Sequence, residues 1–159
     1  MIRLATMADM PAIRTVYAAA RVFMAANGNP HQWGNHKPDE SLLIEDIRLR
    51  QLFVEEQDGR VCAAFALVMG EDPTYGYIEG EWKDTSAYGT IHRLAADGTC
   101  PGFFGRCVDF CRRRSAHLRI DTHEDNRVMR HLVEKHGFAY CGVIYLADGN
   151  PRLAFERTE

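Results

Sequence analysis

Apolar positions recur along this chain at two spacings, and the spacing divides it into helices and strands. Asp9 can cap a helix with Pro11 in its first turn; Ile13, Val16, Tyr17, Ala20, Phe23 and Met24 follow at three- and four-residue steps, and Asn27-Gly28 ends the pattern. The next stretch, NPHQWGNHKP, is polar and rich in turn formers, so it predicts a loop carrying Trp33. Pro38-Asp39-Glu40 opens a second helix, to about Arg50, with Leu43 and Ile47 on one face. Residues 51–56 and 60–69 read as strands joined by Gln57-Asp58-Gly59, a hairpin turn signal. A connection rich in Tyr and Trp predicts a short strand around Tyr77, and TIHRLAA at 90–96 predicts another. A helix from Gly102 to about Ser115 turns Phe103, Cys107, Phe110 and Cys111 inward. A strand over 117–122 and a helix over 126–135, stopped by His136-Gly137, come next. Strands at 138–146 and 152–156 close the chain around the turn Asp148-Gly149-Asn150-Pro151.

This order places an antiparallel meander before a right-handed β-α-β unit. The expected fold class is therefore α/β (α+β): a mixed, mostly antiparallel central sheet with one parallel pair and helices on both faces. With 159 residues, no repeat and no dividing linker, residues 1–159 are expected to form a single domain.

Charge and cysteine content narrow the function. The net charge of −3 gives no basic field for nucleic acid or an anionic membrane, and Arg112-Arg113-Arg114 reads as a solvated helix end. No apolar run approaches the roughly 20 residues of a membrane span, and the N-terminus has no signal-peptide core. Five cysteines without a C-x-x-C suggest neither a disulfide framework nor a zinc ribbon, so a cytoplasmic protein is expected.

Two strand-to-helix corners carry candidate chemistry. DGTCPG, between TIHRLAA and the next helix, offers backbone N–H groups at a helix N-terminus, where unpaired donors and the helix dipole favour phosphate; Gly98, Gly102 and Gly105 allow close approach. It is neither a P-loop nor G-x-G-x-x-G. DTHEDN at 121–126 crowds six polar residues before the following helix, either as caps or as a site.

Three stretches together resemble the GNAT superfamily of acetyl-CoA-dependent N-acetyltransferases over nearly the whole chain. IRLATMADMPAIRTVY resembles its opening strand and first helix. TIHRLAADGTCPGFFGRCVDFC resembles its coenzyme-holding strand, loop and helix, and DTHEDNRVMRHLVEKHGFAYCG its second signature, with Asn126 opening a helix that ends E-K-H-G-F. The resemblance implies transfer of the acetyl group of acetyl-CoA, as co-substrate and without a metal, to a primary amine of a small molecule or an amino terminus by direct attack. It places pantetheine along Leu94, Ala95 and Ala96, and pyrophosphate on the amides around Gly98, Pro101, Gly102, Phe103, Phe104 and Gly105, with Asn126 reaching the pantetheine. Two departures stand out. The loop is short, with no Arg or Gln beside its Gly and with Phe104 at the usual small-residue place; and the Tyr that protonates the leaving thiolate in many members is replaced by Val133. These departures keep open an alternative, a non-catalytic acyl-CoA-binding or sensor domain.

For the proton carried by the amine, strand alternation groups Thr90, His92, Leu94 and Ala96 on one face, and His92 is a candidate base. His123, at the carboxyl end of its strand, is a second candidate, and Tyr140 or Tyr145 could replace the missing acid. Arg93 either pairs with a helix carboxylate or orients the substrate. Thr122 lies beside the acetyl position, and Trp33, with His31, Gln32, His36 and Lys37, lies in the connection that forms the acceptor rim in this family. The acceptor itself and any homodimer are left open.

Overall fold

A computed structural model describes all residues, Met1–Glu159. In chain order the elements are β1 (Ile2–Leu4), α1 (Met10–Ala26), α2 (Glu40–Arg48), β2 (Leu52–Gln57), β3 (Arg60–Met69), β4 (Glu79–Gly80), β5 (Gly89–Ala96), α3 (Phe103–Arg112), β6 (Leu118–Thr122), α4 (Arg127–Lys135), β7 (Ala139–Tyr145) and β8 (Pro151–Arg157). They build one eight-stranded sheet in the order β1-β2-β3-β5-β6-β8-β7-β4. Only β5 and β6 run parallel, and every other neighbouring pair is antiparallel. The expected fold class is the observed one.

Two cores sandwich the sheet. On one face Ile13, Val16 and Tyr17 of α1 and Leu43 of α2 meet Val54, Ala64, Ala66 and Ala95. On the other, Phe103, Phe104, Cys107 and Cys111 of α3 and Val133 of α4 meet Phe65, Leu67, Ile91 and Phe155. The 57–59 turn forms as its Asp-Gly signal predicts, with both residues at positive φ. Two expectations are corrected. Phe23 is half exposed, so the buried stripe of α1 stops at Ala20. The short strand falls at Glu79–Gly80, not at Tyr77, which is exposed; Gly80 faces Gly142 of β7, where both backbones come too close for a Cβ.

The decisive feature is a bulge in β5. His92 pairs with Ala66 of β3, but Ala95 pairs with Ala64, so two residues, Arg93 and Leu94, stand opposite Phe65 alone. Arg93 takes a left-handed conformation (φ 52°), which a side-chain-bearing residue adopts only under compensation of order 1–3 kcal/mol. Three contacts supply it. The guanidinium donates to both oxygens of Asp46 in α2 (Nε to Oδ2 2.8 Å, Nη2 to Oδ1 3.0 Å), and the buried Tyr17 hydroxyl donates to the Arg93 carbonyl at 2.5 Å.

The bulge overturns the expected alternation. Leu94 and Ala96 now share the α3–α4 face with Ile91, whereas His92 and Ala95 face α1 and α2. It also ends the parallel pairing: β5 and β6 stay in register from Gly89 to Ile91 only, and beyond that point the strands part.

Asp46 is 1% exposed and Arg93 17%, so Asp46→Ala leaves a nearly buried cation without its partner. The expected loss is roughly 3 kcal/mol of unfolding free energy in urea titrations; a loss under about 1 kcal/mol would mean that the bulge holds without the pair.

Candidate active site

A cavity of about 690 Å3 opens where β5 and β6 part. Its lining comes from Ile91 to Leu94, Ile120 to Thr122, Asn126 and Met129 of α4, the 31–39 connection, and Leu146 to Arg152 around the β7–β8 turn. Ile91 and Ile120 are register partners facing the α3–α4 core, so the next residue on each strand, His92 and Asp121, projects from the opposite face. Asp121 is opposite Ala154 of β8, and Arg152 lies two residues before Ala154 on the same side. Three consecutive strands therefore present His92, Asp121 and Arg152 on one face at one end of the sheet.

His92 is held by Asp72, which reaches in from the loop after β3: Nε2 to Oδ2 is 2.7 Å, with the side chains 21% and 13% exposed. Burial pushes the Asp72 carboxyl up, but the hydrogen bonds from His92 and Thr74 outweigh burial and hold it down at about 2. With Nε2 turned to this carboxylate, Nδ1 is the ring nitrogen that no protein group engages. Asp121 accepts the Tyr75 hydroxyl at 2.6 Å, and burial together with the Asp121 charge pushes the Tyr75 phenol far up, so it stays protonated.

The other candidates fall in three groups. Thr122, Asn126, Trp33, Arg93 and Leu94 line the same cavity as His92. Arg93 does so with its guanidinium committed to Asp46, the structural role; Trp33 packs on Tyr17 (5.6 Å between ring centroids) and is a fixed wall. Asn126 caps α4 by accepting from Met129 N–H and donates to Gln32, whose amide oxygen also takes the Thr122 hydroxyl. Gln32 thus pins the loop to the splayed strand.

A second group is not brought to the cavity. His123 accepts the Asp125 N–H on Nδ1 at 3.0 Å and closes the turn before α4, so DTHEDN divides: Asp121 and Thr122 face the cavity, His123 and Asp125 shape the turn, and Asn126 both lines the cavity and caps the helix. Tyr140 is half exposed on β7 with its ring against Phe155, and the Tyr145 hydroxyl donates to Glu79. Val133 is fully buried in the α3–α4 core.

The third group forms the corner after β5. Gly102 is the N-cap residue of α3 at φ 77°, with no side chain capping the helix, so its first N–H groups are free to meet an anion. Gly98 also has positive φ and open space where a Cβ would stand. Phe104 turns into the core against His136 and Phe138, so it does not cover the backbone donors. Arg106 fixes the corner: it donates to both oxygens of the buried Glu55 (2.7 and 2.8 Å) and to the carbonyls of Cys100 and Pro101. These residues fit an elongated thioester coenzyme with its phosphates at residues 98–105 and its acyl end in the cavity.

Sequence reasoning missed Asp72, Asp46 and Arg152. Asp72 and Asp46 sit in no motif and meet their partners only through tertiary packing. Arg152 left a trace: with Ala154 and Glu156 it forms one face of a strand that proves interior, where charged residues are conspicuous.

No protein-family model matches the chain, and no curated protein matches it. Among solved structures, a GNAT-family acetyltransferase from Streptococcus agalactiae is 30% identical, with 100% of this chain and 95% of that one covered and a TM-score of 0.83. The chain belongs to the GNAT family and is an acetyltransferase of that type. At lower identity the fold alone is shared. A GNAT-family acetyltransferase from Listeria monocytogenes is 15% identical (99% and 93% covered, TM-score 0.73), and a Salmonella typhimurium protein solved with its cofactor acetyl-CoA is 17% identical (99% and 92% covered, TM-score 0.62).

If the α3 corner holds the phosphates, Gly102→Val removes the left-handed N-cap and shrinks the rise in melting temperature caused by acetyl-CoA. Gly70→Val, at φ 99° after β3 and at the far end of β5 from this corner, is similarly strained and is expected to keep the full rise. Equal rises in both variants would remove the corner from the coenzyme site.

Proposed function

We propose that this protein transfers the acetyl group of acetyl-CoA to a primary amine, of a small molecule or an amino terminus, by direct attack in the cavity between β5 and β6. The observation that carries this reading is the His92–Asp72 pair, with His92 lining the cavity beside the point where the parallel strands part. Bound coenzyme would supply an activated acyl carbon. Leu94 and Ala96 on the α3–α4 side and the free amides at the start of α3, from Gly102 to Gly105, would hold it, with Asn126 and Met129 across the gap.

His92 takes the proton that the amine must shed as its nitrogen bonds to the acyl carbon. Asp72 fixes the ring and balances the imidazolium that forms. The carbon–sulfur bond breaks and the thiolate takes its proton from water, since Val133 replaces the usual acid and neither Tyr140 nor Tyr145 reaches the cavity. Trp33, Met24 and Leu42 give the acceptor's apolar portion a wall. A protein confined to the cytoplasm suits the five unpaired cysteines.

Thiol release over a panel of amines tests the reading. His92→Ala is expected to lower kcat about 100-fold or more with little change in acetyl-CoA affinity, and His123→Ala to cost less than about threefold. Initial-rate lines should intersect, as direct attack from a ternary complex requires; parallel lines, or turnover indifferent to His92, would contradict it.

A further inference from the structure

Five charged side chains are buried in this protein: Asp46, Glu55, Arg119, Arg152 and Glu156. Four have a partner of opposite charge. Asp46 holds Arg93, Glu55 holds Arg106, and Arg119 stands 3.5 Å from Glu156. Arg152 alone has none. It is 8% exposed, lines the cavity, and no carboxylate lies within ion-pairing distance of it.

Two of its N–H groups are used, both on backbone carbonyls: Nη1 donates to Pro151 at 2.8 Å and Nη2 to Gln32 at 3.3 Å. Those bonds orient the guanidinium without neutralising it. Burial pushes its pKa down and outweighs the opposing pull of the Asp121 and Asp148 carboxylates, neither of which is within ion-pairing distance. A buried charge left without a counter-charge is costly, and a planar guanidinium is suited to two parallel bonds to a carboxylate.

Its position says which molecule would bring that carboxylate. His92, Asp121 and Arg152 stand on β5, β6 and β8, neighbours in the sheet, and project from one face. Adjacent strands are about 4.8 Å apart and Arg152 lies two residues beyond the position level with His92, so their Cα atoms are roughly 12 Å apart, a gap that the two side chains and one small molecule can span. Asp121 stands between them, and its negative charge suits the amine end of that molecule as it arrives.

We propose that the acceptor is an aminocarboxylate: its amine lies at His92 and its carboxylate pairs with Arg152. This rests on the acetyl-transfer reading above and adds a specificity-determining residue and a substrate class to it. A free amino acid fits; an amine without an acid group would leave Arg152 buried and unpaired, and the site would reject it. Discrimination of this kind, against a ligand lacking the group a buried site was built to bind, is large.

The test pairs each amino acid with its carboxamide and its decarboxylated amine, measuring thiol release with wild-type protein. Melting temperatures are recorded in parallel with coenzyme A and each amino acid. At least one amino acid is expected to exceed its amide in kcat/KM by about 100-fold or more. In Arg152→Met that ratio should fall to within about threefold, chiefly through KM, while Arg152→Lys retains part of it. An unchanged acetyl-CoA melting shift establishes that the variants are folded; if they are not, the wild-type ratio alone decides. Amides or simple amines turned over as well as the acids, or discrimination that survives in Arg152→Met, would overturn the proposal and leave the acetyl-transfer reading standing. No turnover of any amine, with an Arg152-dependent melting shift from amino acids, would overturn the acetyl-transfer reading and leave only the carboxylate site at Arg152. Neither turnover nor such a shift would overturn both.

Discussion

A left-handed residue in the middle of the sheet organises this site. Arg93 cannot continue a regular ladder at φ 52°, and the pairing of β5 with β3 slips by one residue there. The Asp46 carboxylate and the Tyr17 hydroxyl hold the distortion from the α1–α2 side. Its consequences reach both faces. Downstream residues of β5 swap sides, β6 is released from its parallel partner, and the gap becomes a cavity with one wall on each core. Without the bulge, β5 and β6 could go on pairing past Ile91 and Ile120, and the gap between them would close.

Buried charge is distributed around this cavity with a consistent logic. Each ion pair fixes a piece of backbone that the site needs: Asp46–Arg93 the bulge, Glu55–Arg106 the loop before α3, Glu156 with His117 and Arg119 the aromatic segment around Trp82 and Tyr88. Such pairs add little net stability over apolar packing but are costly to break, which suits parts that must hold one geometry. His92–Asp72 follows the same design at the cavity lining, where His92 is a group that can change its protonation state.

Much of the frame was legible in the sequence. Helical spacing from Ile13 to Ala20, the Asp58-Gly59 turn and the strand–loop–helix from residue 90 form where their patterns place them, because each is a local rule of propensity and burial; the helix ends at Arg112, three residues before its expected end. The bulge was not legible. Nothing in TIHRLAA distinguishes a regular strand from one interrupted at Arg93, and a single inserted residue reverses the face of everything after it. His92 kept its expected side because it precedes the slip; Leu94 and Ala96 did not. His123 misled for a related reason: a histidine beside a splayed strand looks catalytic until its ring is seen to accept the Asp125 N–H. Asp72 was invisible because only the folded loop after β3 brings it to His92, 20 residues along the chain.

The account stands or falls on where the coenzyme lies. A crystal structure with acetyl-CoA is the most direct measurement. The acetyl group is predicted in the gap between Ile91–Leu94 and Ile120–Thr122, beside His92, with the phosphates on the amides of residues 98–105. A coenzyme found instead with its phosphates in the groove formed by Arg106, Arg113 and Arg114 on the other side of α3, its acetyl group remote from His92, would contradict it.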